Sequence, residues 1–263
     1  MKIITVVGAR PQFIKAAAIS RVIKKEYDSE INEVLVHTGQ HFDNNMSNIF
    51  FEQLDIPKPK YNLEISGGSH GLMTGRMLES IEKVTLLEKP DYLLVYGDTN
   101  STLAGAIAAS KMHIPIAHVE SGLRSYNMKM PEEINRIITD RISSLLLCPT
   151  KIAVENLNRE GILDGVYNTG DVMYDAAIFY GKQVAKKSTV LENLRIKGCE
   201  FVLATCHRAE NTDDPVRLKE ILNALVEVSV KTKVVLPMHP RTKKLIQEYE
   251  LKHLTKSLLI TEP

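Results

Sequence analysis

Tyr92-Leu93-Leu94-Val95-Tyr96-Gly97-Asp98-Thr99-Asn100 is followed by an alanine-rich segment, 103–111, and then by Ile114-Pro115-Ile116-Ala117-His118-Val119-Glu120. Each apolar run is continuous rather than alternating, which predicts strands covered on both faces, and the alanine-rich segment between them has helical composition. Two buried strands joined by a helix make a parallel β-α-β unit. The same rhythm extends in both directions. Upstream, strands are predicted at 3–7 and 33–37, with helices from Pro11 to about Tyr27, through 45–51 and over 71–88. Downstream, Pro131 opens a helix, 145–147 is a strand, Thr150 caps a helix closed by Gly161, and 166–168 is the last strand of this half. A doubly wound α/β domain over 1–168 is the expected result. Past Gly170-Asp171 the rhythm restarts, with strands at 201–204, 234–237 and 258–260 and helices near 215–228 and 241–249. Three strands cannot cover both faces of such a sheet well, and the sequence stops directly after one. The segment 169–263 is therefore expected to be a linker helix and an incomplete second domain of a truncated chain.

Composition narrows the function classes. The 263 residues, 44% hydrophobic and 25% charged, describe a globular chain, and 33 basic against 32 acidic residues leave a net charge of +1. That balance argues against nucleic acid or an anionic membrane as partner. Three cysteines, Cys148, Cys199 and Cys206, make no disulfide framework and point to a reducing cytoplasm. The apolar start ends at Gly8-Ala9-Arg10, too early for a secretory signal, and no run approaches the roughly 18 residues of a membrane span.

Ligands of open α/β sheets bind beyond the carboxyl ends of the strands, and here those ends are polar. Gly8 and Arg10 follow the first strand, Gln40 and His41 the second, Asp98 the third, His118 and Glu120 the fourth. In the second half His207 and Arg208 follow one strand, and His239 and Arg241 another. Gly8-Ala9-Arg10-Pro11, with Lys15 one turn into the helix, suits an anion held by free backbone N–H groups and cations. It is not the G-x-G-x-x-G fingerprint, and no acidic residue ends the second strand, so a nicotinamide cofactor is disfavoured. Asp98, Glu120 and Glu132 come from separate elements, which suggests proton transfer or stabilisation of a cationic transition state, although Glu132 and its neighbour Glu133 would also complement a helix dipole. Cys206 and His207 are adjacent and should point to opposite sides, so they form no nucleophile pair. His37 and His41 lack the helical setting of a metal pair, so no metal site is expected.

These motifs resemble the non-hydrolysing UDP-N-acetylglucosamine 2-epimerase family, whose members include UDP-2,3-diacetamido-glucuronate epimerases. The resemblance is carried by Gly8-Ala9-Arg10-Pro11 with Lys15, 37–41, 97–99, His118-Val119-Glu120-Ser121-Gly122-Leu123-Arg124, Pro131-Glu132-Glu133-Ile134-Asn135-Arg136 and 207–211. The uronate epimerases in particular share stretches like 41–43 and 126–131. The resemblance implies a GT-B-like fold of two Rossmann-like domains, a homodimer, a UDP-sugar between the domains, and no cofactor. It implies catalytic roles for Asp98, Glu120, Glu132 and His207, and substrate or UDP contacts for Arg10, Lys15, Arg136, Arg208, Glu210 and Asn211. Gln40, His41 and His239 match positions that some bacterial relatives use for a second, regulatory substrate molecule. Two departures stand out: Ser121 replaces a common alanine, and the family continues past the point matching Pro263, including residues that hold the nucleotide. The implied reaction is elimination of UDP across C1–C2 and its re-addition, interconverting UDP-N-acetylglucosamine and UDP-N-acetylmannosamine for cell-surface polysaccharide synthesis. The alternatives are the diacetamido-glucuronate epimerase, a hydrolysing epimerase, a GT-B glycosyltransferase, or an inactive fragment that only binds nucleotide or a partner chain.

Overall fold

A computed structural model describes residues 1–40 and 57–262. His41 and the helix expected through 45–51 lie outside the described residues. The chain divides into two compact units, Met1–Gln183 and Val184–Pro263.

The first unit is built on a seven-stranded sheet in the order β3-β2-β1-β4-β5-β6-β7, every pairing parallel. The strands are β1 (Lys2–Val7), β2 (Asn32–His37), β3 (Tyr61–Asn62), β4 (Tyr92–Tyr96), β5 (Ile116–Val119), β6 (Leu145–Cys148) and β7 (Val166–Asn168). All but β3 coincide with predicted strands. The order reverses between β1 and β4, which is the switch point where such sheets open to ligands. Alternate residues of each strand feed opposite faces. Ile4, Val6, Val34, Val36, Leu93, Val95 and Ile116 pack with Met77, Ile81 and Val84 of the helix His70–Glu88 and with the alanines of the helix Asn100–Lys111. Alanine and glycine let that second helix lie close: a Cβ on Gly105 would sit 3.2 Å from Val95 and 3.4 Å from Val6. Val7, Leu35, Leu94, Tyr96, Ala117 and Val119 face the helix Arg10–Glu26 through Phe13, Ala16 and Ala17.

Caps follow the sequence signals. The Thr99 hydroxyl accepts from Thr102 N and starts the helix three residues before the alanine run, and Thr150 does the same for Lys151–Arg159. Beneath the helix Arg10–Glu26 lies a polar inclusion, where Glu33 accepts a 2.5 Å hydrogen bond from Thr5 Oγ1. Burial raises the Glu33 carboxyl above its usual 4.5, and the hydroxyls of Thr5 and Ser20 only partly offset this. A raised folded-state value favours the neutral acid, so the associated stability is present at low pH and is lost as pH rises above 4.5. Glu33→Gln is therefore expected to gain stability relative to wild type as pH rises from 4.5 toward neutrality, read as urea midpoints. Parallel midpoints across that range would contradict this account of Glu33.

The second unit has a three-stranded parallel sheet, β10-β9-β8, from β8 (Phe201–Leu203), β9 (Lys233–Pro237) and β10 (Leu259–Thr261). Its core joins Val234 and Leu236 to Leu218 and Leu222 of the helix Pro215–Ser229 and to Ile246 of the helix Pro240–Glu248. Among the described residues, no helix is long and apolar enough to cross a membrane.

Candidate active site

The carboxyl ends of β1, β4 and β5 meet around Gly97. Gly97 has φ +61°, and its N–H donates to Val119 O at 3.0 Å, which ties the turn after β4 to the end of β5. Glu120 follows β5 with φ +72°, a left-handed conformation that costs an L-residue about 1–2 kcal/mol. It is held there by its N–H, which donates to Leu147 O at 3.0 Å. Its carboxylate pairs with the ammonium of Lys15, which reaches in from the first turns of the helix Arg10–Glu26. A Cβ at Gly97 would lie 3.2 Å from Lys15 Nζ and 3.6 Å from Glu120 Oε2, so the bare glycine borders this ion pair.

Asp98, the next residue, accepts from Arg136 Nε at 2.9 Å and from Arg136 Nη2 at 2.6 Å. Its backbone carbonyl accepts from Asn135 Nδ2 at 2.8 Å. Both partners stand on the helix Pro131–Ile142, whose N-terminal proline fixes its start. Arg136 Nη1 also donates to Glu133 at 2.6 Å. The two neighbouring glutamates diverge: Glu132 is exposed, whereas Glu133 turns inward and accepts from Ser125 N, Ser125 Oγ and Tyr126 N. Burial alone would raise the Glu133 carboxyl, but those N–H groups, the hydroxyl and Arg136 outweigh it and hold it below the usual range. Glu133 is thus an anchor for the 125–126 turn and for Arg136.

The sequence reading of the first turn needs one correction. The N–H groups of Gly8 and Ala9 are not free for an anion, because Gln12 Oε1 accepts from both, at 2.8 and 3.0 Å. Gln12 Nε2 donates to Tyr96 O at 2.8 Å and to Thr102 Oγ1 at 2.9 Å, so one buried amide joins the ends of β1 and β4. Gln12→Ala would strand two buried N–H groups, and a loss of about 2–3 kcal/mol is expected in urea unfolding. A loss well under 1 kcal/mol would contradict this assignment.

Gln40, after β2, is also engaged: its Oε1 accepts from Ser101 N at 3.2 Å and lies 2.7 Å from Ser101 Oγ. Arg10 is exposed at the start of its helix. His118 is fully buried below the rim, contrary to its reading as a rim group. Its Nδ1 lies 2.7 Å from Asp140 Oδ1 and its Nε2 lies 2.7 Å from Gly97 O. Burial opposes ionisation of Asp140, yet His118 and Arg124 hold its carboxyl below the usual range.

In the second unit the His207 and His239 rings stack with centroids 5.8 Å apart. His239 Nδ1 accepts from Arg241 N and starts the helix Pro240–Glu248. Arg208 precedes the short turn carrying Glu210 and Asn211, and its guanidinium lies 3.8 Å from Glu210. Cys206 is buried, which pushes its thiol up, while His207 is exposed, as their adjacency implied. Among the described residues no cluster of His, Cys, Asp or Glu is arranged to hold a metal ion. Gln12, Glu133, Asn135 and Asp140 were not singled out as site residues in the sequence. The signals available were the position of Gln12 in the first helical turn and the place of Glu133 and Asn135 within 131–136.

Two parallel α/β units with polar groups gathered at their strand ends define a GT-B-like protein, and solved epimerases superpose on the chain. The UDP-GlcNAc 2-epimerase of Methanocaldococcus jannaschii, in complex with UDP-GlcNAc and UDP, is 44% identical with a TM-score of 0.85, covering 100% of this chain and 74% of that one. The enzyme of Neisseria meningitidis bound to UDP-GlcNAc is 31% identical with a TM-score of 0.86, covering 100% and 72%. The chain belongs to the UDP-N-acetylglucosamine 2-epimerase family, whose model matches residues 24–263. It is 58% identical over 256 residues to the UDP-2,3-diacetamido-2,3-dideoxy-D-glucuronate 2-epimerase of Pseudomonas aeruginosa, covering 96% of this chain and 70% of that relative.

Proposed function

We propose that the protein interconverts UDP-N-acetylglucosamine and UDP-N-acetylmannosamine without hydrolysis. The C2 hydrogen of such a sugar has no neighbouring carbonyl to acidify it. Epimerisation therefore runs through elimination: a carboxylate takes the C2 proton, the C2–H electrons form the C1=C2 bond, and the C1–O bond to UDP breaks. A glycal and UDP remain bound. Return of a proton to the other face of C2 and attack of the UDP oxygen on C1 complete an isomerisation with no net consumption of water.

Asp98, Glu120 and Glu132 are the carboxylates of this scheme. The observation that carries it is Glu120, held in a left-handed conformation with its carboxylate against Lys15 beside the Asp98–Arg136 pair. A carboxylate in a strained backbone at a switch point, beside a second one paired with arginine, suits proton transfer next to developing positive charge. His207 acts beside the departing diphosphate, supported by Arg208, Glu210 and Asn211, while Arg10, Lys15 and Arg136 serve substrate and UDP charge. Residues 169–263 are read as linker helix and nucleotide-binding domain. Gln40, His41 and His239 are candidates for a regulatory substrate molecule. The working form is a cytoplasmic homodimer supplying polysaccharide precursors.

A second reading, epimerisation of UDP-2,3-diacetamido-glucuronate, is favoured by the 58% identity to the Pseudomonas enzyme. Incubation with each UDP-sugar, followed by proton NMR at the anomeric position, tests both. Conversion of UDP-N-acetylglucosamine supports the first reading, conversion of the uronate alone supports the second, and conversion of neither contradicts both.

A further inference from the structure

We propose that the buried His118–Asp140 pair is a positioning device that holds the Asp98 and Glu120 loops in register with one another. The inference rests on the 2-epimerase reading, which makes those two carboxylates the reacting groups.

Both loops depend on backbone that resists an L-residue. Gly97 (φ +61°) precedes Asp98, Glu120 itself has φ +72°, and Gly122 (φ +76°) follows two residues later. Such conformations persist only where the surroundings over-determine them. The His118 ring lies between the loops with no solvent exposure, as does Asp140 on the helix Pro131–Ile142. On one side the ring meets the Gly97 carbonyl, 2.7 Å from Nε2, and that oxygen can only accept. On the other side Nδ1 meets Asp140 Oδ1 at 2.7 Å. The second Asp140 oxygen accepts from Gly122 N at 3.1 Å and from Arg124 Nη1 at 2.7 Å. The Asp140 carboxylate, paired with Arg124, and the Gly97 carbonyl both accept, so the two contacts together call for a hydrogen on each ring nitrogen of His118. One line of buried, charge-assisted hydrogen bonds therefore runs from the carbonyl before Asp98, through imidazole and carboxylate, to the amide just past Glu120. A neutral imidazole could serve one loop or the other, not both.

The same geometry separates the two ends of the device. An asparagine amide reproduces the reach of Nδ1, and a glutamine amide that of Nε2. His118→Asn keeps the bond to Asp140 and releases Gly97, while His118→Gln keeps the bond to Gly97 and releases Asp140. Both remove a buried ring and should lower Tm similarly. Releasing the turn that carries Asp98 misplaces a reacting group directly, so His118→Asn should lower kcat roughly 100-fold with KM nearly unchanged. His118→Gln should lose roughly tenfold or less, since Glu120 keeps its bond to Leu147 O and its pairing with Lys15. In nitrogen-15-labelled wild type, His118 should show two slowly exchanging ring N–H protons, assigned by their loss in His118→Gln.

A wild type that exchanges no C2 hydrogen of any UDP-sugar overturns the epimerase reading and this inference with it. With an active wild type, a single ring N–H, or a His118→Asn variant as active as His118→Gln, overturns the inference alone. Should both variants fail to fold, the ring N–H count in wild type decides, assigned by through-bond correlation from the His118 backbone.

Discussion

Glu120→Gln is expected to lower turnover by about 10³- to 10⁴-fold while shifting Tm by no more than a few degrees, because the substitution removes proton-accepting capacity and leaves shape intact. The amide oxygen of glutamine can still accept from the Lys15 ammonium, so the buried lysine keeps a partner. The left-handed backbone is no worse for glutamine than for glutamate, and the bond from residue 120 N to Leu147 O is independent of the side chain. What disappears is the negative charge that the proposed scheme puts next to the reacting carbons. If turnover and melting temperature fall together, the Lys15–Glu120 pair is a structural ion pair and Asp98 or Glu132 carries the chemistry. The checking measurement is steady-state epimerisation beside calorimetric unfolding of the same preparation.

His207→Ala gives the second large effect, about 10²- to 10³-fold in kcat, the size seen when one stabilising donor to a developing anion is removed. The side chain is exposed, and its ring contact is the stack with His239, so truncation leaves the Cys206-centred core unchanged. Stability should move by less than about 0.5 kcal/mol, as for exposed positions generally. The proposed scheme puts this residue at the leaving diphosphate, so weaker UDP inhibition should accompany the fall in kcat. A variant with wild-type kcat would remove His207 from the scheme and leave the chemistry to the first unit.

Much of this is legible in the amino-acid sequence. Uninterrupted runs such as 92–96 and 3–7 are diagnostic because a strand buried on both faces has no polar period to confuse with helix. β3, at Tyr61–Asn62, was invisible: two residues after a proline-rich loop carry no period at all. The left-handed turns at Gly97 and Gly122 were signalled by glycine, but that at Glu120 was not, since nothing in a glutamate announces φ +72°. The role of the Gln12 amide is hidden in the sequence for a similar reason. A polar residue in a first helical turn reads as solvated, and only the approach of β1 to β4 converts it into the partner of four buried groups. Glu132 and Glu133 could not be told apart from spacing, because adjacent residues at a helix start differ in burial only once the helix has a neighbour. His118, read as a rim group, belongs beneath the rim because strand alternation turns it to the face shared with Ile116, toward the helix that carries Asp140.

Deuterium incorporation tests the reaction scheme most directly. With UDP-N-acetylglucosamine and the protein in deuterated water, product and recovered substrate should both acquire deuterium at C2, with the UDP moiety retained and no free hexosamine released. Epimerised product carrying only protium at C2 would contradict elimination and re-addition at that carbon.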